Sequence, residues 1–507
     1  MRNRVRIFMS VILSMMMAIS GIIVGCSSDD DEETETPSTS QVQLTATEVN
    51  FEKEKSSETI IVSSTVDLTI KSSAEWCLAT IAGSNGTYSV KIMAMDNADA
   101  DDRRADVSLY SDETQVATIA VTQKGVGIIE NVTSLQMAEK MGFGWNLGNQ
   151  MDAHDGKVSG ETMWGNSKAT QALFDSLKVI GIKTVRIPVT WLGHIGEAPT
   201  YTIEAVWLDR VAEIVGYAEK AGLNAIVNIH HDGGDSKYWL DIKGSATSTA
   251  KNDLVKAQIS AMWKQIAEKF SKTGDFLIFE SFNEIHDGGW GWGANRNDGG
   301  KQYATLNEWN QVFVDAVRSV GGENANRWLA VPGYCTNPDL TIEQLLLPKD
   351  NVEGRLMVAV HYYDPHEYTL RAEYSEWGHT ATKTANYGDE KSMTNIFKKL
   401  KEKFVDKNIP CYLGEMGNVN RGEDKAEAFR RYYLEYLCKA CKEYGLAPII
   451  WDNGSKGTGT EASGMFERAT GKVIRPEYNR GHIEAMVKAI ENDDASYTLE
   501  SVYNTAP

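Results

Sequence analysis

From residue 133 onward, short apolar strand-like runs alternate with amphipathic helical stretches. This alternation constrains the fold more than any other feature of the chain. The runs fall at 142–147, 184–189, 225–229, 277–281, 328–332, 356–360, 411–414 and 448–450. Helical patterns lie between most of them, for example over 170–180, 207–221, 256–270, 305–320 and 425–444. A strand followed by a helix brings the chain back parallel to itself. Eight such units therefore predict an α/β fold closed as a (β/α)8 TIM barrel with generous loops. An open doubly wound sheet is the other arrangement of the same units. It is disfavoured because no G-x-G-x-x-G or G-x-x-x-x-G-K-[ST] follows an early strand, so no dinucleotide or phosphate cradle is expected.

Residues 41–125 follow another rule. Period-two runs at 42–44, 58–62, 66–70, 88–92, 105–110 and 116–121 are separated by Ser, Asn, Gly and Asp, which predicts a small antiparallel, immunoglobulin-like β-sandwich. No ladder of exposed rings is readable there, and Trp76 is expected in its core. This region is read as a spacer.

The N-terminus reads as an export signal over residues 1–25: Arg2, Arg4 and Arg6, then an apolar stretch over 7–23. At about 17 residues that stretch is shorter than the roughly 20 a membrane span needs. Ile23-Val24-Gly25-Cys26 resembles a bacterial lipobox, which implies lipidation at Cys26. Residues 26–40, acidic and then rich in Ser, Thr and Pro, form a self-repelling tether. It resembles the acidic signal of surface-exposed Bacteroidetes lipoproteins, which implies a protein anchored to the outer membrane and facing the exterior. The whole chain carries 51 basic against 70 acidic residues, a net charge of −19. Nucleic acid and anionic membrane surfaces repel such a chain. Cys77, Cys335, Cys411, Cys438 and Cys441 lie in apolar contexts. The C-x2-C of the last two falls in a helical pattern with no second pair, so neither zinc nor a disulfide framework is expected.

In a barrel, residues just past each strand's C-terminal end face the active site. Those positions hold Asn146 and Asn149, Arg186, His230-His231-Asp232, Asn283 and Glu284, His361 and Tyr363, Glu415, and Trp451. So many polar and aromatic groups at the ends of apolar strands point to a built site. Two glutamates on the fourth and seventh strands lie roughly across the barrel mouth. Such a pair can serve as nucleophile and proton donor in glycoside hydrolysis. Arg186 and Asn283 can hold a nucleophilic carboxylate ionised, and a second carboxyl beside that charge keeps its proton to near-neutral pH. His361 and Tyr363 can hydrogen-bond the pair, and Trp451 offers a face to a sugar ring. The histidines, with Asp364, could instead ligate two metals. Amidohydrolase barrels, however, want H-x-H on the first strand, where this chain has Asn146-Leu147-Gly148-Asn149.

The stretches Gly144-Trp145-Asn146-Leu147-Gly148-Asn149, Val185-Arg186-Ile187-Pro188, Asn228-Ile229-His230-His231-Asp232, Phe282-Asn283-Glu284, His361-Tyr362-Tyr363, Gly414-Glu415-Met416-Gly417 and Trp451-Asp452-Asn453-Gly454 resemble glycoside hydrolase family 5 over about residues 130–490. The catalytic domain is accordingly placed at 126–507. The resemblance implies Glu284 as acid/base, Glu415 as nucleophile, net retention, and supporting roles for Arg186, His230, Asn283, His361, Tyr363 and Trp451. Ile285 departs from the family, where many members have Pro after the acid. His231, Asn149, Trp290 and Trp292 are further candidates for substrate contact. No cofactor and no metal is implied, and a monomer is expected. Ser73-Ala74-Glu75-Trp76-Cys77 and Val121-Thr122-Gln123-Lys124-Gly125 resemble the BACON domain.

The forms His-His-Asp, Asn-Glu-Ile-His-Asp and Trp-Asp-Asn-Gly resemble the endo-β-1,4-glucanases that include xyloglucanases. With the anchor and the small domain, they imply xyloglucan as substrate first, linear or mixed-linkage glucan second, and mannan third. Trp164, Trp191, Trp239, Trp290 and Trp292 are expected to line a long aromatic cleft. A glycan-capturing protein without catalysis is the reading from another class. The presence of both glutamates argues against it.

Overall fold

The computed structural model describes residues 42–53, 55–84, 86–97, 102–125 and 132–507. Cys26, the export signal and the tether lie outside the described residues. The chain forms two compact units that divide at Ile129/Glu130.

The first unit is a sandwich of two four-stranded sheets. Its strands are β1 (Val42–Leu44), β2 (Glu48–Phe51), β3 (Ser56–Ser64), β4 (Thr69–Ser72), β5 (Cys77–Ser84), β6 (Thr87–Ala94), β7 (Arg103–Ser111) and β8 (Thr114–Gln123), ordered β1-β3-β6-β5 and β2-β8-β7-β4. All pairings are antiparallel except β2 with β8. Alternate residues such as Ile60 and Val62, Val90 and Ile92, Val107 and Leu109, and Ile119 and Val121 turn inward to make one core. Trp76 is only half-buried, at the edge of that core, with the Arg103 guanidinium 4.3 Å from its ring centre.

The second unit is a closed parallel barrel: β9 (Gly144–Asn146), β10 (Thr184–Ile187), β11 (Asn224–Asn228), β12 (Leu277–Glu280), β13 (Leu329–Pro332), β14 (Leu356–Tyr362), β15 (Cys411–Met416) and β16 (Leu446–Ile450). Helices such as Ala205–Ala221, Thr249–Lys269, Lys301–Val320 and Asp424–Tyr444 cover it. The alternation along each strand separates two cores. Val185, Val227, Phe279 and Val358 face the helices, whereas Ile226, Ile278, Ala330, Met357, Tyr412 and Ile449 fill the interior with Met137 and Met141. The next inward positions towards the C-terminal ends hold Arg186, Asn228, Glu280 and His361, all buried. The apolar plug thus gives way to polar groups at the barrel mouth.

Strand β15 breaks this parity. Val360 pairs with Leu413, but His361 pairs with Glu415, so Gly414 is an inserted residue. The insertion turns Glu415 inward, where strict alternation from Leu413 would have turned it towards the helices. A Cβ on Gly414 would lie 3.2 Å from His361 Nε2, so glycine allows the close approach.

Candidate active site

The centre of the site is Arg186, fully buried on β10, with all five N–H groups engaged. Its Nε donates to both Glu280 oxygens (3.2 and 3.1 Å). One terminal nitrogen donates to Glu280 Oε1 (2.6 Å) and Asn283 Oδ1 (2.8 Å), and the other to Asn146 Oδ1 (3.1 Å) and Glu415 Oε1 (2.9 Å). Asn146 is fixed in turn, donating to the Gly414 carbonyl at 2.8 Å.

Glu415 accepts a second hydrogen bond from the Tyr363 hydroxyl, 3.1 Å from Oε2. His361 stands between the two glutamates. Its Nδ1 is 2.8 Å from Glu284 Oε1 and 3.7 Å from Glu415 Oε2. One atom each of Glu284, His361 and Glu415 lie within 4.8 Å of one another. The glutamates of the fourth and seventh barrel strands therefore meet in space, together with Arg186, Asn283, His361 and Tyr363.

Burial raises the Glu415 carboxyl, against the opposing charges of His361 and Arg186. Burial also acts to raise Glu284, but its hydrogen bond and charge contact with His361 hold it below the usual range. Arg186 touches Glu415 and not Glu284, and this contact favours the carboxylate form of Glu415, leaving a proton shared by the pair to Glu284. Burial and the neighbouring Glu415 and Glu284 charges drive the Tyr363 hydroxyl well above its ordinary range, leaving it a neutral donor.

His230 is buried and held well below the usual imidazole range, first by burial and then by the charges of His231 and Arg186. Its ring lies parallel to that of Trp451, 5.9 Å between centres and 3° between planes. Its Nδ1 is 3.2 Å from Asn228 Nδ2, and its Nε2 is 3.9 Å from Glu415 Oε1. His231 is half-exposed and raised: burial opposes its charge, but Asp152, 3.7 Å from Nε2, outweighs that. Asn149 sits nearby in a left-handed backbone conformation (φ +54°) and uses its N–H to bond Asp152 and its carbonyl to accept from Asn166. Gly148 has no room for a side chain, since a Cβ would meet the Trp451 ring and the Asp452 carbonyl at 2.8 Å.

The aromatic cleft needs one correction. Trp191 is completely buried, so it cannot meet a ligand. Trp239 is half-buried and donates to Asp232 Oδ1 at 2.7 Å. Asp232 also accepts from the Trp191 N–H, and burial pushes it up to about 6. Both residues support the loop after β11. Trp164, Trp290 and Trp292 are the exposed rings; the last two are 57% and 77% exposed. Trp290 leans on His286 (4.3 Å between ring centres), and Arg296 lies 4.5 Å over Trp292. Their loop is pinned by Asp287, which accepts from the Gly289 and Asn295 N–H groups.

Among the described residues, two sets of side chains bring possible ligand atoms within 4.8 Å: Asp152, His230 and His231, and the trio Glu284, His361 and Glu415. Both are already engaged. Asp152 accepts from the Asn149 and Gln150 N–H groups, and Glu415 is bound by Arg186 and Tyr363. Glu280 was not among the residues singled out in the sequence. It ends the apolar run Leu277-Ile278-Phe279, and only the barrel's parity shows that it faces the interior.

Comparison with known proteins agrees with this geometry. The cellulase model (glycosyl hydrolase family 5) matches residues 148–457, and the BACON domain model matches residues 63–124. Endoglucanase A of Paenibacillus barcinonensis is 36% identical, over 66% of this chain and 86% of its own. The xyloglucan-specific endo-beta-1,4-glucanase of Bacteroides ovatus is 30% identical, over 94% of this chain and 96% of its own. A solved broad-specificity endoglucanase from Bacteroides salanitronis is 58% identical, with a TM-score of 0.70 over 72% of this chain and 97% of that one.

Proposed function

Because the chain belongs to glycoside hydrolase family 5, we propose that it cleaves the backbone of β-1,4-glucans internally, with retention at the anomeric carbon, and that its preferred polymer is xyloglucan. The observation that carries retention is the spacing of the carboxyls. A Glu284 oxygen and a Glu415 oxygen lie within 4.8 Å. Retaining pairs stand about 5–5.5 Å apart, whereas inverting pairs leave about 6.5–9.5 Å for a water.

In this reading a Glu415 oxygen attacks the anomeric carbon while Glu284 gives its proton to the departing glycosidic oxygen. The carbon–oxygen bond breaks and a glycosyl ester of Glu415 forms. That ester has no charge, so Glu284, left as a carboxylate by the first step, is stable in that form and can accept a proton from water. The water oxygen attacks the same carbon, Glu415 leaves as carboxylate, and Glu284 is protonated again. Arg186 and Tyr363 hold Glu415 in place for both displacements. The Trp451 face, backed by His230, receives the sugar ring beside the scissile bond.

Xyloglucan is favoured by the Bacteroides ovatus relative, which is similar over both units of the chain. The exposed Trp164, Trp290 and Trp292 suit stacking on neutral pyranose faces. The 58% identity to a broad-specificity endoglucanase favours a second reading, in which unbranched glucans are hydrolysed as well. The sequence motif at Cys26 supports a lipid-anchored enzyme on the outer surface, with the sandwich as a spacer.

Initial rates on tamarind xyloglucan, carboxymethyl cellulose, barley β-glucan and glucomannan test the substrate order. Proton NMR of the newly formed reducing end tests the stereochemistry. Xyloglucan is expected to be fastest, and the β-anomer to appear first. An initial α-anomer would end the double-displacement reading, and a preference for unbranched glucan would end the xyloglucan one.

A further inference from the structure

Below the carboxyl pair lies a buried charge that neither displacement uses. We propose that Glu280 is a positioning residue for the nucleophile: acting through Arg186, it fixes the guanidinium and offsets its charge, so that Glu415 receives one directed N–H rather than an unopposed cation. This rests on Glu415 being the nucleophile.

The contacts argue first for an ionised Glu280. Besides the Arg186 N–H groups it accepts from Asn228 Nδ2 at 2.9 Å and from the Tyr412 hydroxyl at 2.5 Å. Of these neighbours only the Tyr412 hydroxyl could accept a hydrogen, whereas Arg186 and Asn228 can only donate here, and the guanidinium charge at 2.6 Å holds the carboxyl ionised against its burial. Glu280 and Arg186 are both fully buried, so water does not screen the pair.

The donor count then shows what the residue does for the site. Glu280 takes Nε and one N–H of a terminal nitrogen in a two-pronged grip, which sets the plane of the guanidinium. Asn283 and Asn146 take one N–H each, leaving one for Glu415. The cluster holds one cation between two carboxylates. If Glu280 lost its charge, the whole field of Arg186 would fall on Glu415. A carboxylate bound that strongly ionises at lower pH and attacks carbon more slowly. The other charged or titratable groups facing Glu415 are Glu284, from the segment after β12, His361 and Tyr363 from β14 and its end, and His230 after β11. Among the described residues, the hydrogen bonds and ion pair of Glu280 are made instead with Arg186, Asn228 and Tyr412.

The test compares Glu280→Gln, Glu280→Asp and Tyr412→Phe with the wild type by pH dependence of kcat/KM and by thermal midpoint. In Glu280→Gln, kcat is expected to fall about tenfold or more with KM changed less than about threefold. Its acid limb should move down by about one pH unit, because the freed Arg186 charge ionises the pair earlier. Tyr412→Phe loses a buried hydrogen bond but no charge: its midpoint should fall while its acid limb stays in place. Glu280→Asp keeps the charge and its acid limb, with part of the lost kcat restored. If Glu280→Gln loses rate with an unmoved limb, Glu280 is only structural and the proposal fails. Should Glu280→Gln not fold, a downward shift in Glu280→Asp overturns it equally. A wild type without glucanase activity would instead overturn the proposed function.

Discussion

At Glu415 the side chain reaches Arg186 and Tyr363 only because Gly414 adds a residue to β15 and reverses the strand's parity. Its neighbour in the site, Glu284, is held by one side-chain hydrogen bond, from His361. The two glutamates therefore differ in what they are equipped to do, and substitutions should separate them. Glu415→Ala is expected to abolish turnover, by about 10³-fold or more, while retaining glycan binding measured by affinity electrophoresis. Glu284→Gln should slow polymer hydrolysis strongly, but spare the first step on a dinitrophenyl cellobioside, whose leaving group needs no proton. Full activity of Glu415→Ala on polymer, or an equal loss on both substrates for Glu284→Gln, would be incompatible with these roles. Much of this site is legible in the sequence, since polar residues at the ends of apolar runs are conspicuous. The parts that are not legible depend on pairing. Glu280 reads as a strand end until barrel parity turns it inward, and Trp191 reads as a loop ring until its burial is seen.

The elements tell a similar story. Apolar runs mark the barrel strands closely because both faces of a parallel barrel strand are buried. The runs at 356–360 and 411–414 stop short of β14 and β15, which continue through His361 and Glu415. In the sandwich, β2 and β5 are missing from the sequence reading. One has only two buried residues, and the other runs into exposed Ala, Gly and Ser. The parallel pairing of β2 with β8 leaves no trace in a period-two pattern. Helix packing supplies a prediction of its own. His482, on helix Pro476–Glu491, is buried against helix Asp424–Tyr444. Its Nε2 is 3.1 Å from the Glu427 carbonyl and its Nδ1 is 3.2 Å from an Arg430 terminal nitrogen. A neutral ring satisfies both, donating to the carbonyl and accepting from Arg430. Burial, then the Arg430 charge, lowers its pKa to about 2. The unfolded chain binds this proton near pH 6.5 and the folded chain does not. Stability is therefore complete above about pH 6.5 and is lost as pH falls towards the folded value. Between pH 7.5 and 5.0 the loss from this one group is about 2 kcal/mol. Urea denaturation at the two pH values should show His482→Gln losing less stability than the wild type by about that amount. Equal losses would mean that the ring is already protonated in the folded protein.

The two units also differ in what each needs to fold. The barrel closes on itself through β9 and β16, and its interior and outer cores are built only from residues after 131. The sandwich core is built only from residues before 126. Every group placed at the carboxyl pair, from Asn146 to Trp451, comes from the barrel strands and the segments that follow them. If the sandwich is a spacer beyond a lipid at Cys26, two removals should have separate effects. Cys26→Ser should abolish incorporation of labelled palmitate and release the enzyme from the cell envelope, with its catalytic constants unchanged. A chain cut to residues 126–507 should fold with a cooperative thermal transition and keep kcat and KM on soluble xyloglucan within about twofold, because the hydrogen bonds described for Glu284 and Glu415 come from barrel residues. On an insoluble, xyloglucan-coated cellulose the shortened chain should likewise match the longer one. A rise in KM confined to the insoluble polymer would instead show that the sandwich binds glycan. A fall in kcat on the soluble polymer would show that the barrel does not reach its active form alone.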